Sequence, residues 1–99
     1  MVEEIKRLCG DGAVMWTIHA AERMTERDIS KEDVLNAIAS GEAIENYPDD
    51  CPFPSVLLYG NDIHVVCGLG KGVVTVVTAY RPSLDKWEPD MRTRRRKKQ

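Results

Sequence analysis

Residues 63–80 read Ile-His-Val-Val-Cys-Gly-Leu-Gly-Lys-Gly-Val-Val-Thr-Val-Val-Thr-Ala-Tyr, and the fold turns on them. Two β-rich runs, Ile63 to Leu69 and Val73 to Tyr80, flank Gly70-Lys-Gly72, the composition of a tight hairpin turn. A turn this short pairs its strands antiparallel. Alternation puts Ile63, Val65 and Cys67 on one face of the first strand and His64 and Val66 on the other. In the second strand it puts Val74, Val76, Thr78 and Tyr80 together, opposite Val73, Thr75, Val77, Ala79 and Arg81. The strand stops at Arg81-Pro82.

Upstream, Asn61-Asp62 turns back into a strand over Ser55 to Tyr59. Pro48 to Pro54 holds three prolines and two acids, so it is a loop and no central strand. Ala43 to Tyr47 is a short strand. These four strands form one antiparallel sheet.

Before residue 41 the apolar period is helical. Val2, Ile5, Leu8 and Cys9 mark a short amphipathic helix ended by Gly10-Asp-Gly12. Val14 to Ile18 is briefly extended. Thr17 is suited to cap a helix over roughly His19 to Asp28. Ser30-Lys-Glu-Asp33 resembles a capping box, with Asp in place of Glu, and opens a third helix that Gly41 stops. Helices first and a hairpin-linked sheet second give an α+β domain. Residues 1–90 form it, and the basic residues 91–99 read as a disordered tail.

At 99 residues the chain fits one domain with a modest core, and the sequence leaves its oligomeric state open. No apolar run is long enough to span a bilayer, and the first residues do not resemble a signal peptide. Three cysteines without close spacing, Cys9, Cys51 and Cys67, fit reduced thiols. A cytoplasmic location is the expectation. The net charge of −2 is uneven: residues 91–99 carry six cations and no acid, which leaves −8 on the other ninety. Such a tail either stays solvated or meets an anionic partner. Trp87 is expected to fold back and cap the core.

The helix over 19–28 carries the clearest polar pattern. At about 100° per residue, Ala20, Ala21 and Met24 form a small apolar side. His19, Arg23 and Arg27 stand in a row at i, i+4 and i+8. Glu22 reaches His19 and Glu26 reaches Arg23 at i, i+3. One reading is an anion site with a proton carrier, in which His19 acts as acid or base and the arginines clamp phosphate. The other is a solvated face of weak ion pairs. There is no CxxC, HxH or HExxH, which argues against zinc. There is also no nucleophile elbow and no phosphate-binding loop. No cofactor is expected.

His19-Ala-Ala-Glu-Arg-Met-Thr-Glu-Arg27, Ile29-Ser30, Asp33-Val34, Ile44 to Asp50, Pro54 to Leu57, His64-Val-Val66 and Val74 to Pro82 with Trp87 together resemble a bacterial family called domain of unknown function 4258. The resemblance covers roughly residues 16–88. The family's layout is similar to that of the RelE/ParE and BrnT toxins. It implies a toxin-like, metal-independent endoribonuclease acting on RNA. It also implies a partner antitoxin of the zinc-finger or helix-turn-helix type. Carried over by motif, His19, Arg23 and Tyr80 would be catalytic, and Arg27, His64 and Arg81 would hold phosphate or RNA. The acidic body departs from the basic character of RNA-cleaving proteins of this shape. A non-catalytic protein- or nucleic-acid-binding module is the alternative.

Overall fold

A computed structural model describes residues 1–96. The helices are α1 (Val2–Gly10), α2 (Ile18–Glu26) and α3 (Lys31–Ser40). The strands are β1 (Val14–Trp16), β2 (Glu42–Tyr47), β3 (Ser55–Gly60), β4 (Ile63–Gly70) and β5 (Val73–Tyr80). The fold is α+β, with local signals where the sequence puts them. The Thr17 hydroxyl accepts from the Ala20 amide at 2.9 Å. Ser30 and Asp33 form a reciprocal capping box, each side chain accepting from the other's backbone amide at 2.9 Å.

The helix α2 ends earlier than its polar pattern suggests. Asp28 takes a left-handed backbone with φ 54°. The Ile29 amide then reaches back to the Met24 carbonyl at 2.9 Å and the Asp28 amide to Thr25 at 3.3 Å. This is a Schellman stop, with Asp in the place glycine usually takes. Arg27 therefore leaves the helix instead of continuing its row. Ala20 and Met24 are buried as expected, but Ala21 is exposed. It lies about 100° round from Ala20, beyond the packed stripe.

The expected four-stranded antiparallel sheet is corrected to five mixed strands in the order β1-β5-β4-β3-β2. Val14 and Trp16 pair in parallel with Val74 and Val76. Without β1, the outer edge of the most apolar strand would be unpaired.

A second correction concerns β5. Val66 pairs with Thr78, but Cys67 pairs with Val76, so Val77 is an extra, bulged residue. A bulge reverses the alternation beyond it. Val74, Val76 and Ala79 consequently face the helices. Thr78 pairs with Val66 and Tyr80 with His64, on the opposite face.

The core beneath the helices joins Ile5, Met24, Val34 and Ile38 to Val56, Leu58, Val65, Val74 and Val76. The other face of the sheet is covered by a return segment, residues 82–96. Trp87, 1% exposed, is its anchor and packs edge-on to His64 at 4.4 Å between ring centroids. It thus caps the back of the sheet and not the helical core. Residues 91–96, the described part of the expected tail, lie along this segment. Trp87 bridges Arg94, and the Arg95 amide donates to the Lys86 carbonyl at 2.8 Å. Arg92 pairs with Glu42, and Arg94 with Glu45 at 2.9 Å. The tail cations Lys97 and Lys98 lie outside the described residues. No helix among those residues is long and apolar enough to cross a membrane.

Candidate functional site

The bulge at Val77 and the stop at Asp28 bring two chain ends together. The C-cap of α2 delivers Arg27, and the end of β5 delivers Tyr80 and, one residue on, Arg81. They meet the return segment around a cleft of about 690 Å³, which Lys86, Trp87 and Arg94 also line. The two arginines lock the corner reciprocally. Arg27 donates to the Ala79 carbonyl at 2.9 Å. Arg81 donates to the Arg27 carbonyl at 2.8 Å and to the Asp28 carbonyl at 3.3 Å. Arg81 thereby satisfies carbonyls at the C-terminus of α2, where a cation also suits the helix dipole. Each guanidinium has five N–H donors, so most remain available to a ligand.

Charge accumulates here because it is not neutralised. Arg7, Arg23, Arg92, Arg94 and Arg95 each have a carboxylate partner. Among the described residues, Arg27, Arg81 and Lys86 make no ion pair. Arg94 brings its own partner, Glu45, whose carboxyl it holds below the ordinary range.

Behind Tyr80 lies His64, fully buried. Its Nε2 donates to the Met91 carbonyl at 2.7 Å. A carbonyl only accepts, so that nitrogen carries the proton and Nδ1 of the neutral ring is an acceptor. The Tyr80 hydroxyl donates to Nδ1 at 3.3 Å. Burial pushes the His64 pKa below its ordinary value, partly offset by the Met91 bond. Burial also raises that of Tyr80. At neutral pH the pair is an uncharged imidazole behind a protonated phenol.

Of the six residues singled out in the sequence, three line the cleft: Arg27, Tyr80 and Arg81. His64 stands directly behind them. The other two stay outside. His19 is exposed on α2, and Arg23 is held by Glu26 at 2.9 Å, the i, i+3 contact its spacing suggests. Lys86 and Arg94 are the contributors sequence reading passed over. Trp87 was the available signal, because a tryptophan that must be buried obliges the chain around it to dock. Elsewhere among the described residues, no three His, Cys, Asp or Glu side chains are grouped to hold a metal ion.

A family model described as "Domain of unknown function (DUF4258)" matches residues 16–81. No curated protein and no solved structure matches the chain. The matched span contains Arg27, His64, Tyr80 and Arg81. The return segment, with Lys86, Trp87 and Arg94, lies beyond it.

Proposed function

The chain belongs to the DUF4258 family, and we propose that its cleft binds the phosphate backbone of RNA and cleaves it, in the manner of a toxin-like endoribonuclease. The observation that carries this reading is that Arg27, Arg81 and Lys86, none of them in an ion pair among the described residues, line one cleft with Tyr80. Cations in a walled cleft recognise phosphate, and they stabilise the charge that grows on it during attack.

The chemistry follows from the tautomer. The ribose 2′-hydroxyl attacks the adjacent phosphorus. Tyr80 takes the 2′ proton as it passes its own to Nδ1 of His64. The O2′–P bond forms and the P–O5′ bond breaks, leaving a 2′,3′-cyclic phosphate and a 5′-hydroxyl that takes its proton from solvent. The buried imidazolium is transient, held by the Met91 carbonyl. In this scheme the acid–base role expected of His19 belongs to Tyr80 with His64. A partner antitoxin would act by covering the cleft.

The test is incubation of the purified chain with single-stranded RNA in a chelating buffer, and with translating ribosomes. Cleavage with cyclic-phosphate ends is expected. Tyr80→Phe should abolish cleavage but keep binding, Arg27→Ala should weaken both, and His19→Ala should change neither. No cleavage on either substrate, with no growth arrest on expression, would sink the enzymatic reading. Binding without cleavage would leave a phosphate-recognition module.

A further inference from the structure

Among the described residues, five other than glycine have a left-handed backbone. Asn61, Asp62 and Lys71 sit in hairpin turns that demand it, and Asp28 stops α2. Met91, with φ 58°, sits in the reverse turn that Glu88 and Thr93 close, with a side chain that does not favour this backbone as Gly, Asn or Asp would. Its conformation is imposed by its surroundings. The Met91 amide donates to the Glu88 carbonyl at 2.8 Å, and the Glu88 amide to the Thr93 carbonyl at 2.8 Å. The Asp90 carboxylate accepts from the amides of Arg92 at 2.9 Å and Thr93 at 3.0 Å, and from the Thr93 hydroxyl at 2.9 Å. The result of this tight loop is a carbonyl placed 2.7 Å from Nε2 of a fully buried histidine. An over-determined backbone of this kind is characteristic of functional sites.

We infer that Met91 is a positioning residue: its left-handed backbone aims a carbonyl at His64 and so keeps Nδ1 an acceptor for the Tyr80 hydroxyl. The inference rests on the reading of Tyr80 and His64 as the acid–base pair of the cleft. A neutral imidazole has two tautomers. With the carbonyl in place, the proton must sit on Nε2. With the carbonyl turned away, the proton is free to move to Nδ1, which then donates to the Tyr80 oxygen. Tyr80 could no longer hand its proton inward, and the polarity of the relay would reverse. The rings of Tyr59, Tyr80 and Trp87 surround His64. Among the described residues, only Tyr80 and Met91 hydrogen-bond to it.

The tautomer is read directly from the nitrogen-15 shifts of His64 in the full chain at pH 8. The parent should show a protonated Nε2 and an acceptor Nδ1. Met91→Gly accepts φ 58° without strain and should keep that tautomer. Met91→Val, whose β-branched side chain resists this backbone, should show a mixture of tautomers. Its kcat should fall roughly a hundredfold, the lower end of what acid–base catalysis contributes, with little change in KM. Asp90→Ala, which loosens the loop without touching Met91, should behave like Met91→Val and covers the case in which that variant does not fold. An Nδ1-protonated parent, or one unchanged tautomer across Met91→Val and Asp90→Ala, overturns the inference. A tautomer switch in the two variants, with a parent that cleaves no RNA, removes the ribonuclease reading and leaves the positioning role of Met91 standing.

Discussion

Truncating Trp87 to alanine tests whether the return segment belongs to the fold. The side chain is 1% exposed. A tryptophan buries about 150–250 Å², which at about 25 cal/mol per Å² is roughly 4–6 kcal/mol. Extended-chain references overstate burial, so the measured range for large aromatic truncations, about 3–5 kcal/mol, is the better expectation. The edge-on contact with His64 at 4.4 Å and the Arg94 guanidinium stacked 4.6 Å from the Trp87 ring centroid are lost with it. The segment's other tie to a buried group, the Met91 carbonyl on His64, is one hydrogen bond of about 0.5–1.5 kcal/mol. Its ion pairs to β2 are exposed, and exposed pairs contribute little and are screened by salt. A domain of this size has about 5–15 kcal/mol in total. Trp87→Ala should therefore remove a large share of it, whereas Arg92→Ala should barely register. Urea unfolding followed by far-UV circular dichroism measures both, and hydrogen exchange localises the opening to residues 82–96. A loss below about 1 kcal/mol for Trp87→Ala, with an unchanged denaturant slope, would refute the anchoring argument.

Three further outcomes are expected. At Gly60 an added Cβ would meet the Ala37 carbonyl at 2.3 Å. Gly60→Ala must lift α3 off β3 at a cost of about 1–3 kcal/mol, and a melting temperature equal to the parent's would show the approach is looser than described. Burial lowers the folded pKa of His64 below its unfolded value of about 6.5. The folded state then binds fewer protons than the unfolded state just below that pH. Its stabilising contribution is complete above about 6.5 and is lost as pH falls through that window toward the folded pKa. Thermal melts between pH 8 and pH 5 should show this decline in the parent and lose that part of it in His64→Gln; identical profiles would contradict it. Finally, the salt dependence of RNA binding reports phosphate contacts, at a logarithmic slope of about 0.7 per contact for single strands. Removing Lys86 or Arg27 should flatten the slope by about that amount, and removing His19 should leave it unchanged.

Much of the fold is legible in the sequence where the signal is local. Thr17, Ser30 and Asp33 announce two helix starts, and Gly70-Lys-Gly72 announces the central hairpin. What escapes is what depends on distant partners. Three residues of β1 are too few to show a period, and their partner Val74 lies sixty positions away in the chain. The bulge in β5 is hidden for a different reason. Val76 and Val77 are the same residue, so the chain skips a step of its alternation without changing its appearance. That skip decides the site, because it turns Tyr80 away from the helices and toward His64.

Charge shows the same limit more sharply. Counting gives −8 for residues 1–90 and +6 for 91–99, which reads as an acidic body with a loose cationic tail. The geometry redistributes those charges. Arg92 and Arg94 neutralise Glu42 and Glu45 on β2, and Arg95 meets Glu88. The charges of Arg92, Arg94 and Arg95 are thus met by carboxylates of the body, whatever little each pair adds to stability. Of the cations outside ion pairs among the described residues, Arg27, Arg81 and Lys86 are the ones that line the cleft, scattered over sixty residues of a stretch that is acidic on average. An acidic surface repels nucleic acid at long range, and a local basic cleft attracts it only within about a Debye length. A protein built this way should bind RNA weakly along its length and hold it where the cleft can take a phosphate. Such a distribution selects for a site-specific contact over a nonspecific one, and no count of charges along the chain could have shown which of the two it favours.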